Sequence, residues 1–477
     1  MTESSPHPRA ALALLSVSQF VDVLSVTIAI VALPSIQSDL HVSDLDLQWA
    51  VSIYALFFGG FVMLSGRAAD LYGRRKLFMA GLALFASASL ACGLSKSIGV
   101  LVVARAAQGL GAAVVVPAAL AILTTIFPEG AARNRALGIW TAAAAGGGAA
   151  GFFLGGVITG TLGWPWVFLV NVPVAVLGVA LAPVLLTESR VPGISQRLDI
   201  PGAATATLGL LSLIYGFTRA QDAGLTSLAS LGSLVLGGIL LVSFGFIEQR
   251  AKDPIAPLSV FRSHSFVGAN VVAFVLTGVT SPAAVLATLY LQRVENYSVT
   301  SAGFAFVPFS LLVIIGSFSG SRLIAGLGGR TTMVSGIVVV AVALLVLTRI
   351  PVAGGLAYVV IGVALCGLGL GLASVASTAV GTSAASSHEQ GLAAGLLNTA
   401  AQVGTAIGIA ALATIAAART AALASGGNPT AGDFVGGFRM SLYVGVVICI
   451  AGILAALLMV EGKTRHPSAK TVRSSID

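Results

Sequence analysis

The sequence predicts an all-α polytopic membrane protein built as two six-helix bundles with two further helices between them. Three observations carry this expectation. Only 9% of the 477 residues are charged and 57% are hydrophobic, against about 25% charge in an ordinary soluble chain. Apolar stretches of roughly 18 to 27 residues, each long enough to cross about 30 Å of hydrocarbon, recur about fourteen times. Glycines also repeat at a constant offset: Gly138, Gly147 and Gly151 in the fifth stretch match Gly395, Gly404 and Gly408 in the thirteenth, 257 residues on.

The predicted spans are 10–36, 47–65, 77–95, 98–126, 135–161, 166–187, 200–217, 225–247, 265–291, 301–321, 331–348, 354–379, 391–418 and 438–460. The first is too long for a signal-peptide core and lacks a small-residue cleavage site before the next helix, so it is expected to be retained. The second and third flank a charged turn at 66–76, which maps weakly onto 322–330. The fourth carries Gln108-Gly109-Leu110-Gly111, matched 258 residues later by Cys366-Gly367-Leu368-Gly369 in the twelfth. These landmarks relate the halves by an even number of spans, which makes them parallel repeats about an axis along the membrane normal. The offset exceeds what six spans need, so the seventh and eighth stand between the halves. The expected division is residues 1–187, a linker with two spans at 188–262, and residues 263–477.

The net charge is +8, but no basic cluster is longer than Arg74, Arg75 and Lys76, so no nucleic-acid partner is expected. With the N-terminus inside, inner loops and tails hold roughly three times as many Lys and Arg residues as outer ones, which predicts both termini in the cytoplasm. Cys92, Cys366 and Cys449 fall in separate spans, and the histidines lie in tails, loops or helix ends. No disulfide, metal site or cofactor is expected. Gly462-Lys463-Thr464 resembles the end of a phosphate loop, but Leu457 stands where its first glycine belongs.

Asp22 sits about twelve residues into the first span, ~18 Å deep, and Arg105 about eight residues into the fourth, ~12 Å from the other surface. They therefore share a depth, and burying either charge alone costs at least ~2.5 to 3.5 kcal/mol. The structural readings are a permanent ion pair or a neutral Asp22 bonded to Ser25. The functional reading is that Asp22 exchanges a proton as its surroundings alternate, with Arg105 tuning it. In the 66–76 turn, Gly66 and Gly73 bracket Asp70, which can bond helix N-terminal amides or an arginine, while Arg74 and Arg75 anchor the inner face.

At these residues the chain resembles the major facilitator superfamily, in its fourteen-helix drug:proton antiporter branch. The turn from Gly66 through Asp70, Gly73, Arg74 and Arg75 is similar to the family's signature after its second helix. Arg105, Gln108, Gly109 and Gly111 resemble its fourth-helix motif, and Gly138, Gly147, Gly151, Gly155 and Gly156 its antiporter motif. Phe152 replaces that motif's proline, which implies a stiffer helix or a weaker seal against proton leak. Ser25 and Ala401 are further departures.

The resemblance implies a proton-coupled exporter of small amphipathic molecules, such as drugs, antibiotics or toxic metabolites, working by alternating access. A monomer in lipid of a bacterial inner membrane is expected, with the small-molecule substrate and protons as its partners. Asp22 and Arg105 would couple protons, Asp70 and Arg74 would lock the inner side, and the glycines, with Gly404 and Gly408, would form sliding faces. Gln19, Tyr54, Asn270, Asn398 and Gln402 are the polar residues expected either to meet substrate or to form only helix–helix hydrogen bonds. An uptake carrier or facilitator shares the fold and is the alternative.

Overall fold

The computed structural model describes residues 7–42, 44–189, 199–223, 227–251, 260–385, 390–424 and 428–461. The helices are α1 (Pro8–Leu40), α2 (Asp44–Tyr72), α3 (Arg74–Gly93), α4 (Ile98–Ile126), α5 (Ala131–Leu162), α6 (Trp166–Leu169), α7 (Asn171–Leu185), α8 (Ile200–Ala223) and α9 (Leu228–Arg250). They continue as α10 (His264–Arg293), α11 (Val299–Phe304), α12 (Val307–Leu327), α13 (Gly329–Leu347), α14 (Leu356–Ser383), α15 (Gln390–Leu423) and α16 (Ala431–Met459). Among the described residues, 13 helices are long and apolar enough to cross a membrane, or 14 spans when the bent α5 is included. An all-helical architecture follows from the solvent, because hydrocarbon offers backbone amides no partner and a helix satisfies them internally.

Most spans extend past their apolar cores. α2 runs through Gly66 to Tyr72, so the predicted turn contracts to Gly73, whose φ of 110° suits glycine. The sixth span is broken into α6 and α7 and the tenth into α11 and α12. α5 is bent by 41° beside Gly151, with Phe152 rather than a proline at the bend. Parts of the expected linker, including Arg197, Leu198 and Pro254, lie outside the described residues.

α1 packs on α5 and α4 on α2 and α3; in the second half α10 packs on α15 and α14 on α12 and α13. The halves meet where α5 touches α12 and where α2 touches α15, and α8 of the extra hairpin lies against both α2 and α15. The repeat extends to individual backbone contacts. A Cβ on Gly109 would overlap the carbonyl oxygen of Tyr54, and one on Gly367 that of Phe309. A Cβ on Gly147 would overlap the Phe20 carbonyl, and one on Gly404 that of Phe274. Glycine at these positions lets helices approach closely in lipid, where dispersion rather than water exclusion drives association.

Gly147, Gly151 and Gly155 lie where α5 meets α1, and Gly404 and Gly408 where α15 meets α10, so these glycines join helices within a half. Gly138 and Gly395 are different: a Cβ at Gly138 would lie 3.2 Å from the Ser317 carbonyl of α12, and one at Gly395 3.0 Å from the Val62 carbonyl of α2. Equivalent glycines thus sit at the two seams between the halves.

Candidate functional site

The span count places the start of α1 and the end of α16 at one face of the bundle, called the near face below. That face is sealed. Arg74 donates to Asp70 through Nε at 3.0 Å and Nη2 at 2.8 Å, and its Nη1 reaches the Thr125 hydroxyl. The second carboxylate oxygen of Asp70 accepts the backbone N–H of Leu392 at 3.1 Å. Leu392 lies in the first turn of α15, where amides have no intrahelical acceptor and the helix dipole favours a negative partner. Asp70 therefore bonds both an arginine of its own half and a helix N-terminus of the other. Thr124 donates to Gln390 Oε1 across the same seam at 2.8 Å. Arg75 is held beside Glu188, through its backbone N–H at 3.2 Å and its guanidinium at 3.9 Å.

Toward the far face a cavity of about 1000 Å³ opens between the halves. Its wall is formed by the far portions of α1 and α5 from one half and by α10, α11, α12 and α14 from the other. Phe153, Phe304, Phe306 and Phe309 supply aromatic surface, while Thr27, Thr141, Thr277, Thr288, Gln292, Ser310 and Ser374 supply the polar groups. Among the described residues, no charged side chain is in its lining. A space of this size matches sites for drug-sized ligands, which run to about 1,000 Å³ and are mostly apolar with a few polar contacts.

The structure places the five residues expected to meet substrate outside this wall. Asn270 and Asn398 donate to carbonyls one turn back in their own helices, Phe266 at 3.0 Å and Ala394 at 2.9 Å. Gln19 is buried, and Gln402 lies against Gly59 at the α2 seam. Tyr54 belongs to the polar cluster instead. The cavity residues were missed because threonine and serine in a span carry no sequence signal separating a wall from a helix-helix bond.

That cluster lies inside the first half. Asp22 and Arg105 are 8% and 1% exposed, and the ion pair between them that the shared depth suggested is absent among the described residues. Tyr54 intervenes: its hydroxyl donates to Asp22 Oδ1, and its ring lies 4.4 Å beneath the Arg105 guanidinium carbon. Arg105 also donates to the Ala50 carbonyl at 3.0 Å and to Gln108 Oε1 at 2.7 Å, and Gln108 in turn donates to Ser89 at 2.8 Å. Ser25 donates to the backbone carbonyl of Asp22 at 2.8 Å rather than to its carboxyl. Asp22 borders a second cavity of about 20 Å³ between α1, α3, α4 and α7. Val23 and Thr27 of the same helix face the large cavity, so α1 separates the two.

The glycine contacts identify the matching seats in the second half. Tyr54 corresponds to Phe309, and Phe20 to Phe274, which puts Leu276 at the place of Asp22; the 258-residue offset puts Val363 at the place of Arg105. Both are apolar and buried, at 1% and 2% exposure. The backbone is duplicated and the polar cluster is not.

Two similar helical halves holding a cavity between them, sealed at one face, define a membrane carrier. The chain belongs to the major facilitator superfamily, whose family profile matches residues 15–409, and membership makes it a transporter rather than an enzyme. It is 35% identical to the puromycin resistance protein pur8 of Streptomyces alboniger over 96% of this chain and 93% of that one. It is 36% identical to the cephamycin export protein CmcT of Amycolatopsis lactamdurans, over 88% and 87% respectively. Among solved structures, the human organic anion transporter MFSD10 (TETRAN) aligns with a TM-score of 0.69 at 16% identity, over 94% of this chain and all of that one. That likeness speaks to the fold.

Proposed function

We propose that this protein exports small, uncharged or weakly charged amphipathic molecules, antibiotics among them, from a bacterial cytoplasm in exchange for protons. The observation that carries the reading is the pairing of a neutral, aromatic-walled cavity on one side of α1 with the buried Asp22 cluster on the other. The names of the relatives, which are resistance and export proteins, support the direction of transport. The excess of Lys and Arg on the loops of the near face supports a cytoplasmic near face with both termini inside. In that orientation the cavity faces outward and the Asp70, Arg74 and Leu392 contacts hold the inner side closed. The protein works as a monomer in the inner membrane, with residues 1–187 and 263–477 as the moving bodies and 188–262 as the linker.

Coupling runs through α1. Substrate and proton occupy opposite sides of this helix, so protonation of Asp22 need not compete directly for the substrate's contacts. Releasing Asp22 from Tyr54 would let α1, together with α5, shift against α2, reshaping the cavity wall, and would favour opening of the near face. The test is a susceptibility panel of unrelated toxic compounds in a pump-deleted host. Wild type should raise tolerance to several neutral or amphipathic drugs and Asp22→Asn to none. Equal protection by the variant, or uptake instead of export, contradicts the proposal.

A further inference from the structure

Asn171 opens α7 and is 1% exposed, yet neither its Nδ2 nor its Oδ1 has a hydrogen-bond partner among the described residues. Buried amides are nearly always satisfied, because an unmade bond forfeits the hydration the group had in water. An apolar residue of the same shape would pack this position better. A second donor is in the same condition: Arg105 Nη2 is buried without a partner among the described residues.

The helical track of α6 and α7 brackets Asn171 between the two members of the coupling cluster. Three residues before it, the Phe168 ring lies 5.8 Å from the Arg105 guanidinium carbon. Val170 keeps helical dihedrals and donates to the Trp166 carbonyl at 3.1 Å, so the face continues across the break. Three, four and seven residues after Asn171, on the same face, Val174, Ala175 and Gly178 line the small cavity that Asp22 borders. About 20 Å³ accommodates roughly one water molecule, which needs polar partners to be held.

We propose that Asn171 is a positioning residue of the coupling site, its carboxamide joined through enclosed water to Arg105 Nη2 on one side and to the Asp22 carboxyl on the other. This rests on the proton-coupling reading above. The amide supplies both a donor and an acceptor, so it can serve Asp22 in either protonation state. The ionisable groups packed along this track are Asp22 from α1, which shares the small cavity with Val174, Ala175 and Gly178, Cys92 from α3, in one core cluster with Phe168, and Arg105 of α4, over the Phe168 and Tyr54 rings. The remaining ionisable residues of α3, namely Arg74, Arg75 and Lys76, lie at the near face.

Infrared titration of the purified full-length transporter, without any drug, tests the proposal. Wild type should show a protonated-carboxyl band that disappears in Asp22→Asn. In Asn171→Leu the midpoint of that band should move by about one pH unit, equivalent to roughly one hydrogen bond. Asn171→Ser, which keeps a polar group and leaves room for water, should return the midpoint most of the way. Asn171→Ala serves the same comparison should the leucine variant not fold. A leucine or alanine variant with a wild-type midpoint overturns the role of Asn171, while a band that survives Asp22→Asn overturns the coupling reading itself.

Discussion

Tyr54 donates its hydroxyl to Asp22 while its ring lies 4.4 Å from the guanidinium carbon of Arg105, so a single neutral side chain on α2 connects the carboxylate of α1 to the cation of α4. Tyr54→Phe separates these functions, because the ring stays beneath Arg105 and only the donor is lost. The variant should fold and export, but the pH at half-maximal transport should move by about one unit, the worth of a hydrogen bond of ~1–1.5 kcal/mol. A profile superimposable on wild type would show that the hydroxyl has no part in coupling.

The near-face seal makes a prediction about conformation. Asp70→Asn keeps the shape but removes the charge from the bonds to Arg74 and to the Leu392 amide, charge-assisted contacts worth ~1.5–3 kcal/mol. The state with this face open should gain population at least about tenfold. Labelling of a Thr124→Cys reporter, buried at the seal, by a water-soluble maleimide measures it. No rise in labelling would separate Asp70 from gating.

The glycine seams predict a sharp positional contrast. Gly147→Ala drives a Cβ into the Phe20 carbonyl, whereas a Cβ at Gly156 has nothing within 4 Å. Thermal unfolding in detergent should show a loss of ~1–3 kcal/mol for the first and little change or a small gain for the second. Similar behaviour of the two would refute the α1–α5 contact.

At the far face, Glu295 accepts from the Gly355 backbone N–H at 3.0 Å and from the Tyr290 hydroxyl at 2.7 Å. The backbone N–H, followed by the hydroxyl, holds this carboxyl below the usual carboxylate range. A depressed value means the clasp contributes fully above the ordinary range and is lost as pH falls through the lowered one. Glu295→Gln should therefore flatten the acid limb of stability against pH. An unchanged limb would remove the clasp from that account.

Much of this was legible in the sequence. Low charge, span lengths and the repeated glycines specify the fold, since hydrocarbon permits little but helices and glycine marks close approach. Asp70 declared itself because a carboxylate between glycines at a helix end has few roles, and the structure gives it both partners foreseen, an arginine and an N-terminal amide. What could not be read is rotation about each helix axis. In lipid both faces of a span are apolar, so periodicity does not reveal that Thr288 faces a cavity while Asn398 bonds its own helix. Tyr54 was expected at substrate for the same reason, and Asn171 carried no signal until its buried amide was found without a hydrogen-bond partner among the described residues.

The central claim is that Asp22 carries the coupled proton, and drug-dependent dissipation of an imposed proton gradient in everted membrane vesicles tests it most directly. Wild type should dissipate the gradient on addition of a drug it exports. Asp22→Asn, inserted at equal level, should leave the gradient standing; drug-dependent dissipation at the wild-type rate in that variant would contradict the account.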